Sequence, residues 1–133
     1  YGAFVAGLDA GFIHNHWPMM SEGKIMHETV YIEQSPIIKN FIEGKSGVQF
    51  VHRILAYIVV VLILVIWNKT RKKHLTKDQK NGVNALLLLV GIQFLLGILT
   101  IIMQVPVWLG VAHQIGAFFL LTATTFVLHR FTK

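Results

Sequence analysis

Two histidines, His52 and His113, sit inside otherwise apolar stretches of this chain, each within two turns of one end of its stretch. An ionisable side chain inside a membrane span is costly and usually faces a bundle interior or a bound group. A histidine there can ligate a heme, relay a proton, or make a polar contact to a neighbouring helix. Two at matched depth on different helices favour heme, because a six-coordinate heme needs imidazoles facing each other across the macrocycle. At 1.5 Å per residue, His52 (three residues past Gln49) and His113 (six past Val107) lie roughly 5 and 9 Å below the same membrane edge. Small residues flank both: Gly110, Ala112, Gly116 and Ala117 around His113, Gly47 and Ala56 around His52. They let a flat ring approach a helix backbone. They also serve ordinary packing of membrane helices, as Gly91 and Gly97 do, so the pattern alone leaves both readings open.

Other polar residues fall near this pair. Arg53 is placed near the outer headgroups, where it can pair with heme propionates or snorkel to lipid phosphate. Gln49 shares a helical face with His52 and can donate or accept a hydrogen bond, but it cannot act as general acid or base. Gln93 reads as a polar contact between helices. The segment His14-Asn15-His16-Trp17-Pro18-Met19-Met20 offers imidazole and thioether groups that suit copper, although an aromatic interfacial loop explains it more simply. His27, His74 and His129 read as solvated groups. For Asp9 the sequence leaves three roles open: a cap, a binding group, or an acceptor of bonds from loop amides.

The elements that must position these residues are membrane spans. The chain has 133 residues, 54% hydrophobic and 14% charged, and its apolar residues come in blocks. About 18 or more consecutive apolar residues suffice to span the hydrocarbon core as a helix. Three stretches meet this: residues 49–67, 83–103 and 107–128. Residues 1–13 form an apolar helix-like stretch of about 20 Å, too short to span, and are expected to be the end of a fourth helix within a longer polypeptide. Residues 14–47 form an outer loop. The turn Gln104-Val105-Pro106 makes the last two spans antiparallel neighbours, with proline in the first turn of the helix that follows. The fold class expected is therefore an all-α integral membrane bundle, a single unit over residues 1–133 with three full transmembrane helices and the end of a fourth.

The net charge of +6 follows the membrane rather than a nucleic acid. Lys69, Arg71, Lys72, Lys73, Lys77 and Lys80 crowd the loop between the first two full spans, and Arg130 and Lys133 follow the last. Lys/Arg excess in short loops marks the cytoplasmic side, or a mitochondrial matrix, which puts the long loop and both histidines toward the outer side. No nucleic acid is expected as a partner. The chain has no cysteine, which excludes disulfides and thiolate metal sites.

The motifs together resemble the heme A synthase family. They are Gly2-Ala3-Phe4-Val5-Ala6-Gly7-Leu8-Asp9-Ala10-Gly11, Asn15 with Trp17-Pro18-Met19, Val48-Gln49-Phe50-Val51-His52-Arg53 with Ala56-Tyr57, Leu96-Gly97-Ile98, and Val105-Pro106-Val107 with Ala112-His113-Gln114. They cover nearly the whole chain in the family's order. The family has eight helices in two similar four-helix halves, and this chain resembles the C-terminal half. The resemblance implies a b-type heme with iron held by His52 and His113. It implies a substrate, heme O, held by the N-terminal half, where a glutamate stands at the position matched here by Gln49. The absence of outer-loop cysteines resembles the proteobacterial and mitochondrial branch. For the complete enzyme the resemblance implies oxidation of a heme methyl to a formyl group for cytochrome oxidase biogenesis, in the bacterial or mitochondrial inner membrane. Membrane lipid, an unidentified electron donor, and heme O synthase or a second copy of the chain are the partners it suggests. Two other classes compete: a non-enzymatic b-type cytochrome subunit keeping the same two ligands, and a copper-handling assembly protein using His14, His16, Met19 and Met20.

Overall fold

The structure is a computed structural model that describes residues 1–132. A short helix α1 (Gly2–Gly7) leads into a 3-10 turn at Ala10–Phe12. The outer segment follows, with one helical turn α2 (Thr29–Ile32) and a 3-10 segment at Ile37–Phe41. Three helices of 26 residues complete the chain: α3 (Lys45–Thr70), α4 (Lys77–Ile102) and α5 (Val107–Thr132). Among the described residues the only β pairing is an isolated bridge between Ser21 and Lys24.

All three long helices are apolar and long enough to cross a membrane, and most of their large side chains point outward. Leu62, Leu88, Leu95, Phe118, Leu121 and Leu128 are each more than half exposed. In a bilayer lipid tails are as apolar as Leu, so such a surface needs no protein cover. The protein is an all-α integral membrane bundle. The shared core is small and lies toward the basic end, where Ile63, Leu86 and Val90 pack with Val60, Leu87, Leu120, Ala123 and Val127. At that end Thr76 caps α4 in a reciprocal bond pair with Gln79. Gln79 Nε2 also donates to the Arg130 carbonyl, and Arg130 lies 3.5 Å from Asp78. The capping box satisfies helix donors that would otherwise be left free.

Helix α4 packs against both α3 and α5, and among the described residues α3 and α5 make no backbone contact with each other. The bundle is thus open between α3 and α5 at the end that carries His52 and His113, with α4 as its back wall. The loop from α4 to α5 turns through Gln104 and Val105, both with positive φ (59° and 56°). That conformation is an outlier for a β-branched residue. Two helices begin before their apolar stretches, α3 at Lys45 rather than near Gln49 and α4 at Lys77 rather than near Val83, and α3 and α5 run a few residues past theirs, to Thr70 and Thr132.

Candidate functional site

The start of α3 is set from a distance. Gly44 offers no side-chain cap, and the carboxylate of Glu33 takes that place, accepting from Lys45 N at 3.0 Å and Ser46 N at 3.1 Å. A carboxylate is favoured at this end of a helix, where free N–H groups and the helix dipole converge. The 3-10 segment lies close against the same turn. A Cβ on Gly44 would come within 2.8 Å of the Asn40 carbonyl oxygen, and one on Gly47 would overlap it. Asn40 is fully buried and closes its own loop, donating to the carbonyls of Gln34 and Ile37 and accepting from Gln34 N. The extra turn at Lys45 places His52 eighth in α3 and His113 seventh in α5, about 10 and 9 Å along their helices at 1.5 Å per residue.

The two imidazoles meet across the opening between α3 and α5. Their ring centroids are 6.4 Å apart and their planes 88° apart. A metal–imidazole nitrogen distance is roughly 2 Å and the ring centre lies roughly 1 Å further, so two imidazoles in line on one metal have centroids about 6 Å apart. The separation fits a single metal held between them. Backbone without Cβ flanks each ring: a Cβ on Gly97 of α4 would stand 3.0 Å from His113 Cε1, and one on Gly2 of α1 would stand 3.8 Å from His52 Cε1. His113 is further held by Gln93 of α4, whose Nε2 lies 3.1 Å from His113 Nδ1 and 2.9 Å from the His113 carbonyl oxygen.

Above this pair the outer segment folds over the helix ends, and Arg53 is its anchor. The guanidinium is 7% exposed and donates to the carbonyl oxygens of His14, His16 and Met19 at 2.5, 2.8 and 3.2 Å. The loop backbone occupies both of its NH groups, and Nε is buried without a partner among the described residues. Gln49, 1% exposed, donates to the His14 carbonyl, while its Oε1 is buried and unpaired. Asn15 ties the segment to α4 by donating to the carbonyls of Gly11 and Ile101. Trp17 and Tyr57 both pack edge-on against Phe94 of α4, with centroids 6.5 and 5.6 Å apart. Sequence reasoning passed over Phe94, because one aromatic in a membrane span carries no signal of its own.

The remaining histidines divide. His27 differs from its expected solvated state: it is half-buried, its ring lies 4.9 Å from that of His14, and its Nδ1 pairs with Thr29. His14 Nε2 pairs with Ser46 Oγ, which in turn pairs with Thr29 Oγ1. Burial, followed by the neighbouring His27 and Arg53, lowers the His14 pKa from the ordinary 6.5. His16 and Met19 are exposed and Met20 is buried. Among the described residues no group of three or more His, Cys, Asp or Glu side chains could hold a metal ion. Asp9 is exposed with a left-handed backbone, and no side-chain hydrogen bond caps the turn after it.

An all-α membrane bundle with two half-buried histidines meeting between its helices defines a class, and the comparisons narrow it. The family model COX15-CtaA, described as a cytochrome oxidase assembly protein, matches residues 1–125. The chain belongs to that family. It is 61% identical over 133 residues to heme A synthase of Flavobacterium johnsoniae, covering all of this chain and 39% of the relative. It is 42% identical over 129 residues to heme A synthase of Paramagnetospirillum magneticum, covering 97% and 35%. It is 39% identical over 132 residues to heme A synthase COX15 of Homo sapiens, covering 99% and 32%. The chain thus spans well under half the length of these curated relatives. No solved structure matches it.

Proposed function

We propose that this chain is the heme b-holding C-terminal half of a heme A synthase, an oxidoreductase that converts the heme O methyl to the formyl of heme A for cytochrome oxidase. The observation that carries the reading is the His52–His113 pair, 6.4 Å apart between α3 and α5, in a chain with 61% identity to a heme A synthase. His52 and His113 would hold the heme iron, and the glycine backbones at 2 and 97 leave room beside their rings. When bound, a heme here supplies electron transfer; the protein supplies ligands, orientation and exclusion of water. Arg53 and Gln49 close the outer side of the site through the loop, and the unpaired Nε–H of Arg53 remains to donate to an acceptor such as a propionate. A neutral glutamine at 49 takes no proton, so the proton-handling carboxylate that the oxidation needs belongs to the rest of the enzyme, together with the heme O site. The basic α3–α4 loop and the end of α5 face the cytoplasm or matrix, and the heme lies toward the outer side. The partners are membrane lipid, an electron donor, and heme O synthase or a second copy of the chain.

The test is a reduced-minus-oxidised absorption spectrum of the detergent-extracted protein beside His52→Ala and His113→Ala. A low-spin b-type spectrum, lost or turned high-spin in each variant, is the expected result. A folded helical preparation with no heme, or a spectrum indifferent to both substitutions, refutes the assignment. Heme A content of membranes that depend on the gene separates a synthase from a plain cytochrome subunit.

A further inference from the structure

Gln93 is more than a polar contact between helices. It lies partly buried in α4, with Nε2 3.1 Å from His113 Nδ1 and 2.9 Å from the His113 carbonyl oxygen. Its Oε1 is buried and has no partner among the described residues. Gly116, three residues beyond His113, admits the amide, since a Cβ there would overlap Oε1. A buried carbonyl oxygen left unpaired is destabilising, and a membrane interior offers no water to relieve it. The neighbouring imidazole can supply the missing donor. A neutral histidine that binds a metal through one nitrogen carries its proton on the other, and in metal sites that N–H is normally given to an oxygen acceptor. The amide nitrogen lies 3.1 Å from Nδ1 and 3.5 Å from the Nε2 of His113; while it donates to Nδ1 the ring proton sits on Nε2, and that tautomer cannot offer Nε2 to a metal. The last torsion of a glutamine is broad and two-fold, so a half-turn of the amide brings Oε1 to Nδ1. The half-turn exchanges the two ends of the amide, so the bond to the His113 carbonyl is given up and Oε1 must draw back from that oxygen, whose mid-helix backbone donor remains.

We propose that Gln93 is the positioning residue of His113, holding its ring and, with Oε1 turned to accept from Nδ1–H, fixing the tautomer that frees Nε2 for the heme iron. This rests on His113 being an axial ligand. An acceptor on Nδ1 makes the imidazole a stronger donor and favours ferric over ferrous iron.

The experiment compares heme-bearing protein extracted from membranes: wild type, Gln93→Leu, Gln93→Glu, and His113→Ala beside them. Gln93→Leu is expected to lose heme about 10-fold more readily, to raise the midpoint potential, and to alter the g-anisotropy of the ferric low-spin signal, which reports the angle between the imidazole planes. Gln93→Glu keeps an acceptor oxygen at the same place and returns retention and potential to the wild-type values or below. Gln93→Met substitutes for the leucine variant if that fails to accumulate. A potential and low-spin signal unchanged in the leucine or methionine variant overturn the proposal while leaving the axial pair intact. A wild-type spectrum that survives His113→Ala overturns the axial assignment instead, and the role of Gln93 with it.

Discussion

Arg53 and His14 are joined head-on: the guanidinium on the third turn of α3 donates to the His14 carbonyl oxygen, and the same group holds the carbonyls of His16 and Met19. One buried cation therefore organises the polypeptide that covers the open end of the bundle. Hydrogen bonds to charged groups are each worth about 1.5–3 kcal/mol, and three of them converge here. Replacing Arg53 by leucine takes the donor from the His16 and Met19 carbonyls and leaves the His14 carbonyl only its longer bond from Gln49. The expected outcome is release of the outer segment without melting of α4 and α5, read as faster protease cleavage near residues 16–24 with helical content retained. Arg53→Lys keeps the charge but loses the planar fork, so its cleavage rate falls between the two. A leucine variant protected as well as the wild type would show that the loop is held by its own apolar contacts.

Gly97 and Gly2 make a paired test of the space beside the imidazoles. A Cβ at 97 stands 3.0 Å from His113 Cε1, whereas one at 2 stands 3.8 Å from His52 Cε1, an ordinary contact. Gly97→Ala therefore pushes the His113 ring by a few tenths of an ångström, and Gly2→Ala does not disturb His52. Axial ligation is sensitive to small displacements of a ligand, so Gly97→Ala is expected to weaken the low-spin spectrum several-fold while Gly2→Ala leaves it near wild type. Equal effects of the two substitutions would mean that neither glycine is there for the ring.

The three spans were legible in the sequence because continuous apolar blocks leave a chain no other way to satisfy its backbone in a bilayer. The ends of the spans were not. The α3 N-terminus extends back to Lys45 because the Glu33 carboxylate reaches it across twelve residues, and no local signal at Gly44-Lys45-Ser46 announces that. At α4, Thr76 and Gln79 carry a capping-box signature, hidden among lysines that read as a solvated loop. Depth counted along the helices brought His52 and His113 to one level, but depth says nothing of rotation about the axis, and the register of α4 against α5 decides that Gln93 meets His113. The pairing of His27 with His14 depends on how the outer segment coils, which has no periodicity to read.

That coiled segment should also respond to pH. His14 packs against His27, Ser46 and Thr29, with Arg53, Glu33 and His16 as the other charged or titratable neighbours. Burial first, then His27 and Arg53, hold its pKa below the ordinary 6.5, while Glu33 opposes them. A base whose pKa is lower in the folded state binds protons more readily once its surroundings open, so protonation favours opening. The contribution of His14 is full above pH 6.5 and declines as the pH falls from 6.5 through its lowered folded value. Acidification toward pH 5 should therefore loosen the outer segment while the membrane helices, packed through Ile63, Leu86 and Val90, stay folded. Hydrogen exchange of residues 14–30 against pH reads this directly, with His14→Gln as the control that keeps a polar partner for Ser46 but cannot titrate. Protection that falls below pH 6.5 in the wild type and stays level in the variant is the expected pair of curves. Identical curves would assign the response to another group, and flat curves in both would mean that protonated His14 is accommodated without movement.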